Sequence, residues 1–413
     1  MTPGNREQAR IAACAAPSWD PVKSGDIFAD YAALRSQCPV AHSGRFGGFW
    51  VLLRYQEVAQ AAIRHKTFRS RQPFVELPDF TEMIPLCANP PEHSVYRRVL
   101  NKYFTQARME ELEPAIRAAV VEHLEPMIRR GGGELVADLA RPVPNRALCA
   151  LLNMPESAWA KFAAHREQML ALRDDYAAIN ALVTQLFDEQ IEALIAARRA
   201  EPRDPGQDLV SGVLTMAGPD GEALPEQVVR AIIRLILAAG SGTTTSAMTG
   251  AFVRLSASPV DQDRLRREPQ LIPSAVEEYL RLEPSLHALA RTTAEPVNVS
   301  GVEIPGEQLV ALNFASANRD PQEFENPEVC QVDRRHNRHL TFGAGIHKCL
   351  GAPLARLELR VFLEELLART SHLAPAGPLS RVPGFPFEGG YPVLPVRLMA
   401  NESHRSDDDS SRC

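Results

Sequence analysis

The chain has 413 residues, 45% of them hydrophobic, and a formal net charge of −6 at pH 7. That supplies ample apolar material for a large core, and the negative balance argues against a nucleic-acid partner. No uninterrupted apolar run of 18 residues stands out, and the stretch from Met1 to Ala16 lacks the layout of a secretory signal, so a cytoplasmic protein without a membrane anchor is expected. The seven cysteines, at 14, 38, 87, 149, 330, 349 and 413, are scattered and odd in number. Such spacing predicts a reducing compartment and no disulfide framework.

Residues 1–16 read as a flexible N-terminus and 403–413 as a disordered, charged tail, leaving 17–402 as a single domain. In chain order, a helix is expected over 22–36 and a short apolar strand over 49–53, behind Gly47 and Gly48. Helical periodicity returns at 55–65. A loop punctuated by proline and polar residues follows over 66–89. Helices are then expected at 94–101, 109–130, 144–152, 156–172 and 176–199. The longest helix runs from Pro225, which suits a first turn, to about Ala257, where Pro259 stops it. At 1.5 Å per residue it spans roughly 50 Å, and its centre, Ile232 to Gly240, is apolar on all sides and therefore buried. A further helix covers 273–282. Short strands are expected at 297–299, 308–310 and 395–398. The fold class is mainly α with small β-sheets.

The most informative segment is Phe342-Gly343-Ala344-Gly345-Ile346-His347-Lys348-Cys349-Leu350-Gly351. It reads F-G-x-G-x-H-x-C-x-G and runs straight into a helical stretch, Ala352 to Leu367. A cysteine where a glycine loop meets a helix N-terminus sits among outward-pointing amides and a positive dipole end, which favours the thiolate. One cysteine cannot build a four-ligand structural zinc site, but it can be the axial ligand of a haem iron.

This loop resembles the haem-binding loop of the cytochrome P450 family, the haem-thiolate monooxygenases, and the resemblance extends over nearly the whole chain. It implies the cytochrome P450 fold, with the long central helix over a haem b whose iron takes the Cys349 thiolate. Phe342 would pack over the sulfur. Gly343 shapes the loop, and amides near Gly351 would hydrogen-bond the sulfur. His93 and Arg97, four apart on one helix face, match residues that reach a haem propionate; Arg291 and His347 match two more. Two cations per propionate is sensible charge compensation in a dry site. Glu278 and Arg281 form the family's E-x-x-R pair, with Arg334 as its third member, and the trio reads as structural.

The central helix carries Ala239-Gly240-Ser241-Gly242-Thr243-Thr244-Thr245. Two readings stay open on this segment alone: close packing against a neighbouring helix, or a distorted helix facing a cofactor. The resemblance implies the second, with Thr243 beside the oxygen site. Gly242 stands where the family carries an acid, which puts the usual proton route in doubt. Ser241, Thr244 and ordered water are the candidate substitutes. The substrate pocket implied by the resemblance draws on 74–84, 170–186, 235–242, 286–289 and 391–393, with Phe74, Ala238, Ala239, Gly242, Leu286, His287, Leu289 and Pro392 as candidate lining. Most are apolar, so a hydrophobic small molecule is the default substrate. His287 is the polar exception.

No nucleotide-binding G-x-G-x-x-G follows a strand, and no iron–sulfur cysteine cluster is present. The resemblance therefore implies O2 as co-substrate and electrons from a separate ferredoxin and its NAD(P)H-dependent reductase. Lys348, Arg98, Lys102, Arg338 and Arg356 would form a basic docking face, and a monomer is expected. Two alternatives follow from Gly242 or from the fold alone: an atypical member performing oxidative coupling or nitric oxide reduction, and a non-enzymatic haem sensor or carrier.

Overall fold

The computed structural model describes residues 19–20, 26–76, 83–155, 176–381 and 389–401. The two ends expected to be loose and the helix expected over 156–172 lie outside these residues, as do 77–82 and 170–175 of the expected pocket segments. The elements run α1 (Ile27–Gln37), β1 (Val40–Ser43), β2 (Phe49–Leu52), α2 (Tyr55–Ile63), β3 (Phe68–Arg69), α3 (Glu92–Leu100), α4 (Gln106–Arg129), β4 (Gly132–Glu134) and α5 (Pro142–Leu151). They continue with α6 (Tyr176–Ala200), α7 (Leu209–Leu214), α8 (Glu226–Ser256), α9 (Pro259–Arg267), α10 (Ile272–Leu282), β5 (Ala288–Thr293), β6 (Val297–Val299) and β7 (Val302–Ile304). The last are β8 (Leu309–Asn313), α11 (Phe314–Ala317), α12 (Ala352–Arg369), β9 (Thr370–Pro375) and β10 (Pro395–Ala400). This is the mainly helical architecture with small sheets that the sequence predicts.

Local chemistry sets many of these boundaries. Asp26 caps α1 by accepting from the amides of Phe28 and Ala29, Thr105 caps α4, and Ser258 caps α9 just before Pro259. Each satisfies an amide that the first turn leaves without a partner. The helix α8 meets the length and composition of a membrane span. Its residues Ile232, Ile233, Leu237, Met248, Ala251 and Phe252 are buried in protein, but Ala239 is exposed and Leu235, Ala238 and Gly240 are half-buried, so its centre is not buried on all sides as the sequence predicts.

The chain divides into two compact units. The first takes residues up to 81, 246–349 and 378–392. Its centre is a five-stranded sheet in the order β1-β2-β8-β5-β3, with β2 and β8 parallel and the other pairs antiparallel. All four residues of β2 are buried, as befits a strand covered on both faces. One face packs Trp50, Leu52, Val310 and Leu312, and the other packs Phe49, Val51, Ala290 and Ala311 against Tyr31. Glu283, just beyond α10, accepts hydrogen bonds from Arg254 at the end of α8 and from Arg381. Burial pushes its carboxyl up, but Arg381, Arg254 and Arg319 hold it below the usual range.

The second unit takes 82–245, 350–377 and residues from 393. Its sheet has the order β4-β10-β9. Helices α4 and α12 are laced by ion pairs: Arg117 reaches Glu113, Glu364 and Glu365, Arg360 reaches Glu113 and Glu364, and Arg369 reaches Glu125 and Glu365. A network of this kind fixes the helix that follows Cys349 more firmly than isolated surface pairs would.

Within α12, Glu358 is 1% exposed and its Oε2 meets no hydrogen-bond partner among the described residues. Burial alone raises its pKa well above the ordinary carboxyl value, so the group is held neutral. A raised carboxyl pKa gives stability that is complete below the unfolded-state value and is lost as pH rises toward the folded one. Urea unfolding of Glu358→Gln at pH 5, 6.5 and 8 should therefore show a variant more stable than the parent at pH 8. The gap should narrow toward pH 5, with a slope of up to about 1.4 kcal/mol per pH unit. Parallel stability curves for the two proteins would show that Glu358 ionises normally.

One expectation fails. Cys38 is disulfide-bonded, whereas Cys87, Cys149, Cys330 and Cys349 form no disulfide. Scatter along the chain places no limit on pairing in space, so cysteine spacing is a poor guide here.

Candidate functional site

In the first unit the ligand loop is held by its own backbone. The Gly343 amide donates to Leu340 O (2.8 Å), Lys348 N to Gly345 O (3.2 Å) and Cys349 N to Phe342 O (2.8 Å). Gly343 and Gly345 have φ of 66° and 69°, a region L side chains avoid. At Gly345 a Cβ would lie 2.6 Å from Ala62 O and 3.1 Å from Ile63 Cα, so the loop touches the end of α2 backbone to backbone. Closure in this way leaves Cys349 exposed at the loop's end. His347 lies in the short turn Gly345–His347 and is half-buried. Phe342 is half-buried with its ring 5.9 Å from that of His339.

A buried polar network supports the loop from behind. Arg281 donates to both oxygens of Glu278 (2.8 Å each), and Arg334 Nε donates to the same carboxylate (3.0 and 3.1 Å). The predicted trio is thus assembled. Two partners that carry no sequence signal complete it, Asn337 Nδ2 and the amide of Gln331. Burial drives the Glu278 carboxyl up, yet Arg281, Gln331 and Arg334 together keep it below its ordinary range. Arg281 also donates to the carbonyls of Asn318, Pro327 and Val329. Asn318 in turn accepts from Leu340 N (2.6 Å) and donates to Thr341 Oγ1 (2.8 Å), which bonds Leu280 O. Asn318 therefore couples the ion-pair network to the ligand loop, and no motif announces it.

The other candidates in this unit are spread over its sheet and turns. Arg291 lies in β5, buried, with Nη1 on Ala290 O (2.8 Å). Leu289 is partly buried against the core under the sheet. His287 is buried, with Nδ1 3.3 Å from Tyr31 Oη and its ring 5.1 Å from that of Phe28. Its Nε2 faces Gly389, where a Cβ would come within 3.4 Å. Leu286, Phe74 and Pro392 are half-buried.

In the second unit, His93 and Arg97 share a face of α3, His93 buried and Arg97 half-buried. On α8, Gly240 and Gly242 have different reasons. A Cβ at Gly240 would lie 2.6 Å from Leu148 Cδ2, so there the helix packs tightly against α5. A Cβ at Gly242 would meet nothing within 4 Å among the described residues. At about 100° per residue, Leu235, Ala238, Ala239, Gly242 and Thr243 fall on one face. Ala239 and Gly242 are exposed, and the other three are half-buried. Thr243 Oγ1 donates to Ala239 O (2.6 Å). Thr244 points to the opposite side and is buried, and Ser241 also faces away from Gly242 with its carbonyl taken by Thr245 Oγ1 (3.0 Å). Neither substitute for the missing acid shares the open face; Thr243 does.

The residues suit a haem. In the first unit an exposed thiol outside any disulfide ends a loop whose backbone is already bonded; in the second, taken by itself, α8 offers a face without bulk at Ala239 and Gly242. A family model described as Cytochrome P450 matches residues 150–379. The chain belongs to the cytochrome P450 family. The P450 is 36% identical over 332 residues to the mycinamicin IV hydroxylase/epoxidase of Micromonospora griseorubida, covering 78% of this chain and 81% of the relative. It is 34% identical over 355 residues to the vitamin D(3) 25-hydroxylase of Pseudonocardia autotrophica, covering 83% and 86%. Among solved structures it is similar to the P450 CYP109Q5 from Chondromyces apiculatus, with a TM-score of 0.81 and 32% identity over 91% of this chain and 95% of that one. The P450 is accordingly a haem-thiolate monooxygenase, an oxidoreductase whose haem iron takes a cysteine thiolate, and Cys349 is that cysteine.

Proposed function

We propose that this P450 inserts one oxygen atom from O2 into a small, mostly apolar organic molecule, using electrons from a separate ferredoxin and NAD(P)H-dependent reductase, as a monomer in the cytoplasm. The observation that carries the substrate class is the open face of α8, where Leu235, Ala238, Ala239 and Gly242 present hydrocarbon and backbone and no charge. The relatives named as hydroxylases and epoxidases support oxygen insertion over coupling, nitric oxide reduction or a carrier role.

Bound haem supplies the activation of O2 and its transfer to substrate. The chain's own residues prepare for it. Cys349 would supply the electron-rich thiolate that holds the haem iron, and its amide, tied to Phe342 O, fixes the end of the loop. His93, Arg97, Arg291 and His347 are the cations and donors assigned to the propionates. Thr243 holds a proton at Oγ1, now given to Ala239 O, on the same face as the apolar stripe. With no carboxyl at 242, that hydroxyl is a proton-bearing group of the chain on this face.

The test is a spectral titration of the ferric holoprotein against steroids, macrolides, terpenoids and small aromatics. A low-spin to high-spin change saturating with one apolar class is the expected result. A response only to polar or charged compounds would overturn the substrate class, and nitric oxide consumption driven directly by NADH would replace the reaction.

A further inference from the structure

His287 is the polar exception among the pocket candidates, and the proposed reaction assigns it no part. The fold turns it toward α1. Its Nδ1 lies 3.3 Å from Tyr31 Oη, and the two rings meet edge to face at 5.8 Å. Both residues are buried, Tyr31 completely. Trp19 also meets Tyr31 edge to face, with ring centroids 6.0 Å apart. Beside Trp19, Asp20 pairs with exposed Arg45, so a row of rings runs from His287 through Tyr31 and Trp19 to the surface.

Edge-to-face pairs are ordinary core packing, and a buried tyrosine commonly finds a partner. The order of the groups is what sets this row apart. Phenol and indole are side chains that give up one electron readily, and a phenol must shed its proton as it does so. Burial pushes the Tyr31 hydroxyl well above its ordinary pKa; Asn313 opposes that, while Asp30 and Glu76 add to it. No phenolate is therefore ready beforehand, and a base must stand at the hydroxyl, where His287 Nδ1 is. Asp30 and Glu76 then favour the imidazolium that results, whereas Arg319 and Arg381, stacked on the Phe28 ring beside His287, oppose it. Leu289, within about 7 Å of His287 along the extended chain, packs against the buried cluster that holds Leu340, at the base of the ligand loop. Ala344, inside that loop, packs against the same cluster. All of these residues lie with Cys349 in the first unit.

We propose that Tyr31 and His287, with Trp19 behind them, form a one-electron relay that discharges the oxidised haem when no substrate stands ready to take the oxygen. The inference rests on membership in the haem-thiolate monooxygenases, and not on which molecule is oxidised or which carrier supplies electrons. Tyr31 gives one electron to the oxidised haem, and its Oη proton passes to His287 Nδ1, leaving a neutral tyrosyl radical beside an imidazolium. Trp19 then gives one electron to Tyr31, and His287 returns the proton. A thiol from solvent reduces the oxidised indole, releases a proton and pairs with a second such thiol as a disulfide. Oxidising equivalents thereby leave along replaceable rings and spare the Cys349 sulfur.

Ferric holoenzyme without substrate is mixed with a peracid, frozen at once and read by electron paramagnetic resonance. The parent should show a tyrosyl signal that Tyr31→Phe lacks and Tyr279→Phe keeps. Tyr279 is a second buried tyrosine, whose hydroxyl meets no partner among the described residues. Trp19→Phe should prolong the signal, because the electron that quenches it is gone. His287→Gln should slow its appearance severalfold, and deuterium oxide should slow it in the parent. Peptide mapping after exposure to hydrogen peroxide should find oxidation at Trp19 in the parent. In Tyr31→Phe it should move to the Cys349 loop, with haem bleaching severalfold faster. Thermal melting of each variant separates lost packing from a lost relay. A Tyr31→Phe protein that gives the tyrosyl signal and bleaches at the parent's rate overturns the relay, whatever its melting temperature, and so does a parent that gives no signal. A parental rate in His287→Gln, without a deuterium effect in either protein, overturns the assignment of His287 as the base.

Discussion

Replacing Arg281 by alanine is expected to destabilise the first unit by about 3–5 kcal/mol and to yield protein that retains little haem. Arg281 is fully buried, and its guanidinium donates to two carboxylate oxygens and three backbone carbonyls. Removing it strands the Glu278 carboxylate in a site where burial already opposes ionisation. The remaining partners, Arg334, Asn337 and the Gln331 amide, reduce that penalty without cancelling it. The carbonyl of Pro327 also loses its buried donor, that of Val329 keeps only Arg334, and Asn318, which pins Leu340 and Thr341, loses the arginine that fixes it. The damage therefore reaches the Cys349 loop through named bonds.

Urea unfolding and a haem-to-protein ratio measure the two consequences. Arg281→Lys should recover little, because an ammonium cannot make the parallel pair of bonds that the guanidinium makes to Glu278. The double change Arg281→Met with Glu278→Leu should cost less than the sum of the single changes, since it removes both members of that pair together, with a residual cost from Arg334, which loses its carboxylate. Additive single effects, or full haem retention in Arg281→Ala, would show that the network is ornamental to the loop.

This network also shows what the sequence disclosed and what it withheld. Glu278, Arg281 and Arg334 are legible because they recur at fixed spacing with a family motif. Asn318, Gln331 and Asn337 act through the same cluster, but an asparagine or a backbone amide carries no signal until the chain has folded around it. The helices were legible in the same way: α4, α8, α10 and α12 are long, periodic and bounded by prolines or caps. The strands β1, β5 and β9 carry no clear alternation bounded by turn signals, and their pairing is decided by partners far along the chain. Thus β2 lies parallel to β8, roughly 260 residues away in sequence. The contact of Tyr31 with His287 escaped notice for a related reason, since the two residues stand 256 apart in sequence.

Gly240 and Gly242 of α8 were equally opaque in sequence, and the structure separates them. Gly240 is required by Leu148, whereas nothing in the packing requires Gly242. Gly242→Asp is therefore expected to fold at least as well as the parent, since leaving glycine within a helix returns a few tenths of a kcal/mol. Its carboxyl would emerge on the face shared by Ala239 and Thr243, beside the hydroxyl that now donates to Ala239 O. A positioned general acid is worth about 10²–10⁴-fold when proton delivery limits a step. The coupling of NADPH consumed to product formed should thus rise severalfold, and hydrogen peroxide leakage should fall. Gly242→Asn has nearly the same shape and no titratable proton, so it should give no such gain. The advantage of the aspartate should fade as pH rises through its pKa, because only the protonated carboxyl donates. Equal coupling in the aspartate and asparagine variants would mean that proton supply at 242 is not limiting, and that Thr243 with solvent or the substrate's own hydroxyl already serves the purpose.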